Sequence, residues 1–154
     1  MQRTDFQHIW STVEAQFRGS LMGIHGKGHW RQVERNGVML AEKNGLPEEE
    51  AVVVRLFAIL HDSQRINDGW DQGHGLRGGE YARRLNGTLF TLPPGLLKKL
   101  VLACERHELG ETTLDPLVGC CWDADRLDLV RIGAAPLPHL MNTPEGKRLA
   151  GLRH

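Results

Sequence analysis

The sequence predicts an all-α fold, a single-domain bundle of six or seven helices. Signals that start and stop helices recur along the chain: proline or a small polar residue before an apolar segment, and glycine after it. No segment shows the strict alternation of apolar and polar residues that is typical of strands, and aromatic residues make up only 6% of the chain. The length of 154 residues suits one domain, which we expect to span residues 1–154.

The first two helices follow from capping signals and apolar spacing. Thr4, with Gln7 three residues later, predicts a capping box and a helix that reaches Gly19. The glycine-rich segment 23–28 leads into a second helix, which should end at Gly45. One face of this second helix carries Trp30, Val33, Gly37, Leu40 and Ala41.

The third helix has the strongest start signal in the chain. Pro47 suits a first turn, and the three glutamates at 48–50 complement the helix dipole there. The segment 51–61 that follows is almost entirely apolar, which indicates a central, buried helix. Residues 68–79 are rich in Gly, Asp, His and Arg and predict a loop, followed by a short helix over 80–86.

Three further helices complete the predicted bundle, each opened by a proline. Two consecutive prolines open a helix over 94–107, and an Asp-Pro pair opens another over 116–133. A Thr-Pro-Glu sequence opens a short terminal helix at Pro144. The order of elements therefore contains helices and loops alone.

The composition excludes several classes of protein. Lys plus Arg and Asp plus Glu each total 19, so the formal net charge is zero, which argues against binding a nucleic-acid polymer or an anionic membrane. No apolar segment approaches the roughly 20 residues that a membrane helix requires. Residues 1–5 lack the basic-then-apolar order of a secretory signal, and the three cysteines show no CxxC spacing. We therefore expect a cytoplasmic protein with no membrane or nucleic-acid partner.

Five of the eight histidines lie at predicted helix ends or in loops, where side chains from different helices can meet. They are His25, His29, His61, His74 and His107. His61 and Asp62 end the apolar third helix, and burying both is costly unless a partner such as a metal ion compensates. The alternative interpretation is a histidine favoured by the helix dipole, with Asp62 in a turn.

Three short segments, in this order, resemble the HD-domain superfamily of metal-dependent phosphohydrolases. They are HGKGHW at 25–30, LFAILHD at 56–62 and DADRLD at 123–128. The resemblance covers about residues 25–129 and implies an HD-like helical bundle that holds a divalent metal. The metal ligands that it implies are His29, His61, Asp62 and Asp125.

The last of these segments offers three aspartates. The family's Ala-Asp-x-Leu phrase matches residues 124–127, which selects Asp125 as the ligand. Asp123 and Asp128 remain alternatives, and either could instead orient a histidine that binds the metal.

The ligand types agree with a catalytic transition metal. Imidazole mixed with carboxylate suits Mn, Fe, Co, Ni or Zn better than Ca, and such an ion activates water and polarises a phosphoryl oxygen. His74 and His107 lie between the His-Asp pair and the last aspartate, as two further histidines do in HD proteins with two metals. Three interpretations remain open for both histidines: a ligand of a second metal, a contact to phosphate, or an ordinary histidine at a helix end. We therefore expect one or two ions per chain.

Three cationic side chains could bind the phosphate of a substrate. Arg65 and Arg77 flank the glycine-rich loop after the His-Asp pair. A guanidinium can bind phosphate through two parallel hydrogen bonds. Lys27, in the joint before the second helix, is a third candidate. The alternative interpretation is that the two arginines are solvated surface residues.

The general base has no candidate at the usual place. Several nucleotide-cleaving HD enzymes carry a glutamate three positions after the motif aspartate, and this chain has Arg65 there. The remaining candidates are Asp68, Asp71 and Glu80.

The sequence thus predicts a metal-dependent phosphohydrolase acting on a nucleotide or another small phosphoester. Two alternatives share the fold and the pocket. One is a di-iron oxygenase, which the two extra histidines make conceivable. The other is a non-catalytic module that binds a nucleotide without converting it, since the glutamate of the family is missing. The sequence does not indicate an oligomeric state.

Overall fold

The computed structural model describes residues 3–152 and confirms the predicted all-α fold. Residues 1–2, on which part of the expectation about a secretory signal rests, and residues 153–154 lie outside the described part. The seven α-helices of the described range are α1 (Phe6–Gln16), α2 (Lys27–Lys43), α3 (Glu48–Leu60), α4 (His74–Leu85), α5 (Pro94–Arg106), α6 (Pro116–Arg126) and α7 (Pro144–Leu152).

Short 3₁₀ helices and turns connect these elements. The 3₁₀ helices are His107–Leu109, Leu127–Ile132 and Pro138–Leu140. The only β-type pairing in 3–152 is an isolated bridge between Asn86 and Phe90. Within the same range, no helix combines the length and the apolar character needed to cross a membrane.

Helix α3 lies at the centre of the bundle, as its apolar sequence predicts. It packs against α2, α5 and α6, with smaller contacts to α1 and α4. Its residues 56–60 are all fully buried, as are Val53 and Val54. Because α3 is surrounded by other helices from Leu56 onwards, the residues at its C-terminal end are brought into the interior of the bundle.

Helix α2 packs closely on α3 through the predicted face. The five residues predicted for that face are all buried. A Cβ added at Gly37 would lie 2.6 Å from Val54 Cγ1, so the absence of a side chain lets the two helices approach. The cap of α1 differs from the prediction, because Asp5 rather than Thr4 accepts a hydrogen bond from a first-turn amide, His8 N, at 3.1 Å.

The predicted loop over 68–79 is wrong in its second half, where α4 already begins at His74. The glycines that suggested a loop allow close packing instead. A Cβ at Gly75 would lie 2.7 Å from Cys104 O, and one at Gly79 would lie 2.8 Å from Glu105 Cγ. Helix α4 therefore lies directly against α5, and its first residue points into the bundle.

The later helices match their predicted starts. Helices α5, α6 and α7 begin at Pro94, Pro116 and Pro144. The predicted helix over 116–133 is α-helical only to Arg126, after which a 3₁₀ helix continues to Ile132 and ends at a glycine with positive φ. The buried apolar side chains contributed by α1 to α7 form one cluster.

Candidate metal centre

Six histidine and aspartate side chains meet at the C-terminal end of α3. They come from the first turns of α2 and α4, from the residues that follow α3 and α5, and from the last turn of α6. They are His29, His61, Asp62, His74, His107 and Asp125. All but Asp125 are buried as residues, so four separate segments of the chain bury polar side chains at this point, and α6 adds the partly exposed Asp125.

The first group of ligand atoms consists of His29, His61 and Asp125. The two Nε2 atoms of the histidines lie 3.1 Å apart. Asp125 Oδ1 lies 3.1 Å from His29 Nε2 and 3.3 Å from His61 Nε2. These three atoms form a compact triangle that could hold a metal ion.

The second group consists of His74, His107 and Asp62. Its two Nε2 atoms are also 3.1 Å apart. Asp62 Oδ1 lies 3.1 Å from His74 Nε2 and 3.5 Å from His107 Nε2. This group, too, could hold a metal ion.

Asp62 belongs to both groups. While its Oδ1 faces the second group, its Oδ2 lies 3.3 Å from His29 Nε2 and 3.4 Å from His61 Nε2. A single carboxylate thus places one oxygen in each group. This is the arrangement that a carboxylate needs in order to bridge two cations.

The other ring nitrogen of each histidine has an acceptor that fixes the tautomer. The Nδ1 atoms of His61, His74 and His107 face backbone carbonyls, at 3.0 Å from Ala58 O, 2.8 Å from Asp71 O and 2.7 Å from Cys104 O. A carbonyl only accepts, so each Nδ1 carries a proton and each ring directs its Nε2 towards the cluster, where the neutral form of the ring offers a lone pair.

When both rings of a pair are neutral and protonated at Nδ1, their facing Nε2 lone pairs favour a cation between them. Two unprotonated nitrogens 3.1 Å apart repel each other unless a proton or a metal ion lies close to both. Metal–ligand bonds of about 2.0–2.2 Å give ligand–ligand distances close to those found here. The donor set and its spacing therefore fit a transition metal.

The protonation states of the first group are set by burial and by neighbouring charge. Burial lowers the pKa of His29, but hydrogen bonds to three carboxylates, Asp125 foremost, outweigh it and raise that pKa to about 10. For His61 burial prevails, and its pKa is lowered. Burial alone would raise the pKa of Asp62 and of Asp125, but the surrounding histidines hold both well below the usual range. The carboxylates are therefore ionised, as cation binding requires, and His29 has to release a proton when its Nε2 binds a metal.

The three aspartates of the DADRLD segment have different positions. Asp125 faces the first group, as described above. Asp128 Oδ2 accepts from His29 Nδ1 at 2.7 Å, so it orients that ring from outside the group. Asp123 lies away from both groups, and its two oxygens accept hydrogen bonds at 2.7–2.9 Å from Asn142 and Thr143. Asp123 therefore anchors the segment before α7 and is not placed to bind a metal.

The three predicted phosphate-binding cations do not share one site. Arg65 lines the cavity beside the cluster, and its Nε donates to Asp62 Oδ1 at 3.3 Å. Arg77 donates to Asp71 at 2.6 Å and to Gln64 O at 3.1 Å, which holds the loop after α3 in place. Arg77 and Lys27 are not among the described residues that line the cavity.

None of the three candidate general bases reaches the cluster through its carboxylate. Asp68 and Glu80 are exposed and do not line the cavity. Asp71 is buried, and its carboxylate accepts from Ile66 N at 2.8 Å as well as from Arg77. Its backbone carbonyl, in contrast, is the acceptor for His74.

The structure adds residues that sequence reasoning missed. Glu108 lines the cavity, and its Oε2 lies 2.7 Å from His74 Nδ1. Arg126 and Arg131 also line the cavity. The sequence contained a signal for two of these residues, because Glu108 and Arg126 directly follow the ligand candidates His107 and Asp125.

His25, one of the five singled-out histidines, lies at the cavity beside the first group. Its Nδ1 is 3.6 Å from Asp62 Oδ2 and 3.3 Å from Arg131 Nη2. An arginine only donates, so this Nδ1 acts as an acceptor. His25 therefore differs from the four clustered histidines, whose Nδ1 atoms point away from the carboxylates of the two groups.

Comparison of the chain with protein-family models, with curated proteins and with solved structures gives no match. The resemblance to the HD-domain superfamily therefore stays a prediction from the three sequence segments. What the structure establishes is a coarser class: an all-α chain with buried His/Asp groups that could hold a metal ion.

Proposed function

We propose that this chain is a phosphohydrolase that uses two divalent transition-metal ions, bridged by Asp62, to cleave a small phosphoester such as a nucleotide. The observation that carries the proposal is the placement of the two Asp62 oxygens, one in each histidine group. A buried ionised carboxylate among four histidines is best compensated by cations. The ordered resemblance to the HD-domain superfamily supports the same reaction class.

The donor set favours particular ions. The first group offers two imidazole nitrogens with carboxylate oxygens, and so does the second. Such mixed sets suit Mn, Fe, Co, Ni or Zn, whereas Ca and Mg prefer oxygen alone. Bound at this site, the ions would supply an activated water and neutralise charge on the phosphoryl oxygens.

The chain's own residues would hold and orient the reacting groups. Asp128 and the backbone carbonyls fix the histidine rings, so the ligand atoms are placed before any ion arrives. Glu108 is the one carboxylate among the described cavity-lining residues that belongs to neither ligand group. We assign to Glu108 the proton-accepting role for which the family's usual position offers only Arg65.

Metal content tests the centre directly. Protein purified without chelators or a metal-affinity tag would be measured by plasma mass spectrometry, before and after loading with each candidate metal. We expect close to two ions per chain, and a loss of both in Asp62→Ala, because this residue serves both groups. His74→Ala should lose one ion. Asp68→Ala, which removes an exposed carboxylate outside the cavity, is the matched control and should keep both.

Activity is then measured with the loaded protein. A panel of nucleotides and other phosphoesters should release phosphate only with metal present, and Glu108→Gln should lose activity while keeping its metal. If the wild type cannot be loaded with any of the metals, the proposal fails. If both ions bind and no member of the panel is hydrolysed, the hydrolytic assignment fails and binding without turnover is favoured.

A di-iron oxygenase is the second candidate, favoured by the four imidazole nitrogens around one bridging carboxylate. Iron accepts such histidine-rich sets. Oxygen uptake by the Fe(II)-loaded protein with an organic substrate, and no phosphate release, would favour this reaction over hydrolysis.

A further inference from the structure

The cavity beside the metal centre is lined by two chemically different parts. Its volume is about 470 Å³, which is enough for a small organic ligand. Part of the lining is formed by the ligand groups. Another part is the segment that follows α6, which contributes the apolar residues Leu129, Ala134, Ala135, Leu137, Leu140 and Met141. We call these six residues the apolar wall.

Most of the apolar wall is not buried by the protein itself; Met141 is the one member that also belongs to the core. Leu137 and Leu140 each keep 37% of their surface exposed although they line the cavity. Exposed apolar side chains grouped around a cavity indicate a ligand with an apolar part. The segment is held in position, because Asp123 anchors the residues that follow it.

Arg126 lines the cavity and has a hydrogen-bond donor that no protein atom uses. Its Nη1 donates to Leu140 O at 2.7 Å. Its Nη2 is buried and has no hydrogen-bond partner among the described residues. A guanidinium nitrogen can only donate, and leaving a buried charged donor without an acceptor is costly. Because Arg126 lines the cavity, a turn of its guanidinium would bring Nη2 to an acceptor on a ligand and remove this cost.

The other arginines of the cavity are already engaged. Arg65 donates to Asp62 and to the carbonyls of Asn67 and Gly69. Arg131 donates to Ile24 O at 2.8 Å and to Asp128 O at 3.0 Å. Arg126 is therefore the cavity arginine with an unpartnered buried nitrogen in the described range. One available cation beside the metal groups suits one anionic group better than a chain of phosphates.

We infer that the cavity binds a phosphate monoester with a single phosphoryl group and an uncharged apolar body. The phosphoryl group lies between the metal groups and Arg126, whose guanidinium turns so that Nη2 donates to it, and the body lies along the apolar wall. This inference rests on the proposed metal centre and narrows its substrate. Arg126 then binds the phosphoryl group, and Leu137 contacts the apolar body and favours ligands that carry one.

Phosphonates, which resist hydrolysis, test the inference by calorimetry on the metal-loaded protein. Phenylphosphonate should bind about tenfold more tightly than methylphosphonate, because the ring buries apolar area on the wall. Arg126→Met should weaken binding of both phosphonates about tenfold or more, since it removes a charge-assisted hydrogen bond. Leu137→Ser should reduce only the preference for the phenyl compound.

Matched controls and a prior metal measurement keep the outcomes separate. Arg148→Met removes an exposed arginine on α7 that pairs with Glu145, and it should leave phosphonate binding unchanged. If the wild-type protein cannot be loaded with metal, the proposed metal centre is wrong, and this inference fails with it. Three results with metal-loaded protein would overturn this inference and leave the metal centre standing. The wild type binds neither phosphonate, Arg126→Met binds both phosphonates as tightly as the wild type does, or ATP binds to the wild type more tightly than phenylphosphonate.

Discussion

At the residue scale, the Nδ1 atoms of the clustered histidines decide which ring atom faces the cluster. Each of the four has an acceptor on the side away from Asp62 and Asp125: backbone carbonyls for three rings and Asp128 for His29. A ring held by one nitrogen presents the other in a defined direction. The four imidazole ligand atoms are thus organised by contacts that lie outside the cluster.

Removal of Asp128 tests this organisation. Asp128→Ala should weaken metal affinity about 10- to 100-fold, because His29 loses the acceptor that orients its ring. Asp128→Asn keeps an acceptor oxygen and should retain most of the affinity. Competition with a chelator of known affinity measures the effect, and Asp68→Ala serves as the control. Equal affinity in Asp128→Ala and the wild type would show that the ring is oriented by other contacts.

At the element scale, helix α4 shows how a glycine-rich segment becomes a helix. In isolation its glycines disfavour helix, by about 1 kcal/mol each relative to alanine. In the bundle, Gly75 lies against the backbone of α5, where any side chain would collide with Cys104 O. Packing against α5 outweighs local preference, and the result places His74 in a first turn facing the cluster.

Alanine substitution separates packing from helix preference. Gly75→Ala should lower the free energy of unfolding by about 1–3 kcal/mol, since its Cβ would lie 2.7 Å from a carbonyl oxygen. Gly95→Ala in α5, where nothing lies within 4 Å, should instead be neutral or stabilising by up to about 1 kcal/mol. Urea unfolding measures both. Stabilisation by Gly75→Ala would contradict the close packing.

The cap of α6 gives a stability effect that depends on pH. Asp115 accepts from Leu117 N at 2.9 Å and Val118 N at 3.1 Å, and its carboxylate pairs with Lys99 at 2.9 Å. Burial acts to raise the pKa of Asp115, but these partners outweigh it and lower that pKa from its ordinary value of 3.8. A lowered pKa means that the ionised carboxylate stabilises the folded state.

Asp115→Ala should therefore cost about 1 kcal/mol of stability at neutral pH, as loss of a helix cap does. The difference between wild type and variant should be unchanged between pH 7 and pH 5. It should shrink as the pH falls below the ordinary pKa of 3.8 and through the lower folded value. Urea unfolding of both proteins at pH 7, 5 and 3 measures it. A difference that grows as the pH falls would contradict this assignment.

At the scale of the whole molecule, the cluster joins segments that are distant in sequence. Its ligands come from α2, α4, α6 and the residues after α3 and α5, so a bound ion would connect most of the bundle. The unfolded chain cannot bring these atoms together. Metal binding should therefore act as a stabilising contact for the entire fold.

Metal addition should raise the unfolding temperature of the wild type. At a free metal concentration 100 times the dissociation constant, the expected gain is about 2.7 kcal/mol per site. Differential scanning calorimetry with and without a chelator measures the shift, and Asp62→Ala should show little of it. An unfolding temperature that is indifferent to metal would contradict a centre built from five segments.

The fold was predictable from local signals because helix starts and apolar faces are properties of neighbouring residues. Pro47, Pro94, Pro116 and Pro144 each marked a helix within one residue. The start of α4 was not predictable in this way. Its glycines carry the same local preference in a loop as in a tightly packed helix, and only the position of α5 distinguishes the two.

The sequence by itself predicted the all-α class and the central position of α3, and it singled out the residues of the cluster as candidates. It left open the roles of His74 and His107 and the choice among the three late aspartates. Only the tertiary structure decided how those ligands divide into two groups with Asp62 between them, that Asp123 anchors a segment, and that Arg126 has an unpartnered buried nitrogen. The physical reason is the separation along the chain of the residues that determine each feature. Helix formation depends on residues three or four positions apart, whereas the roles of side chains such as His29 and Asp128 depend on atoms 99 positions away.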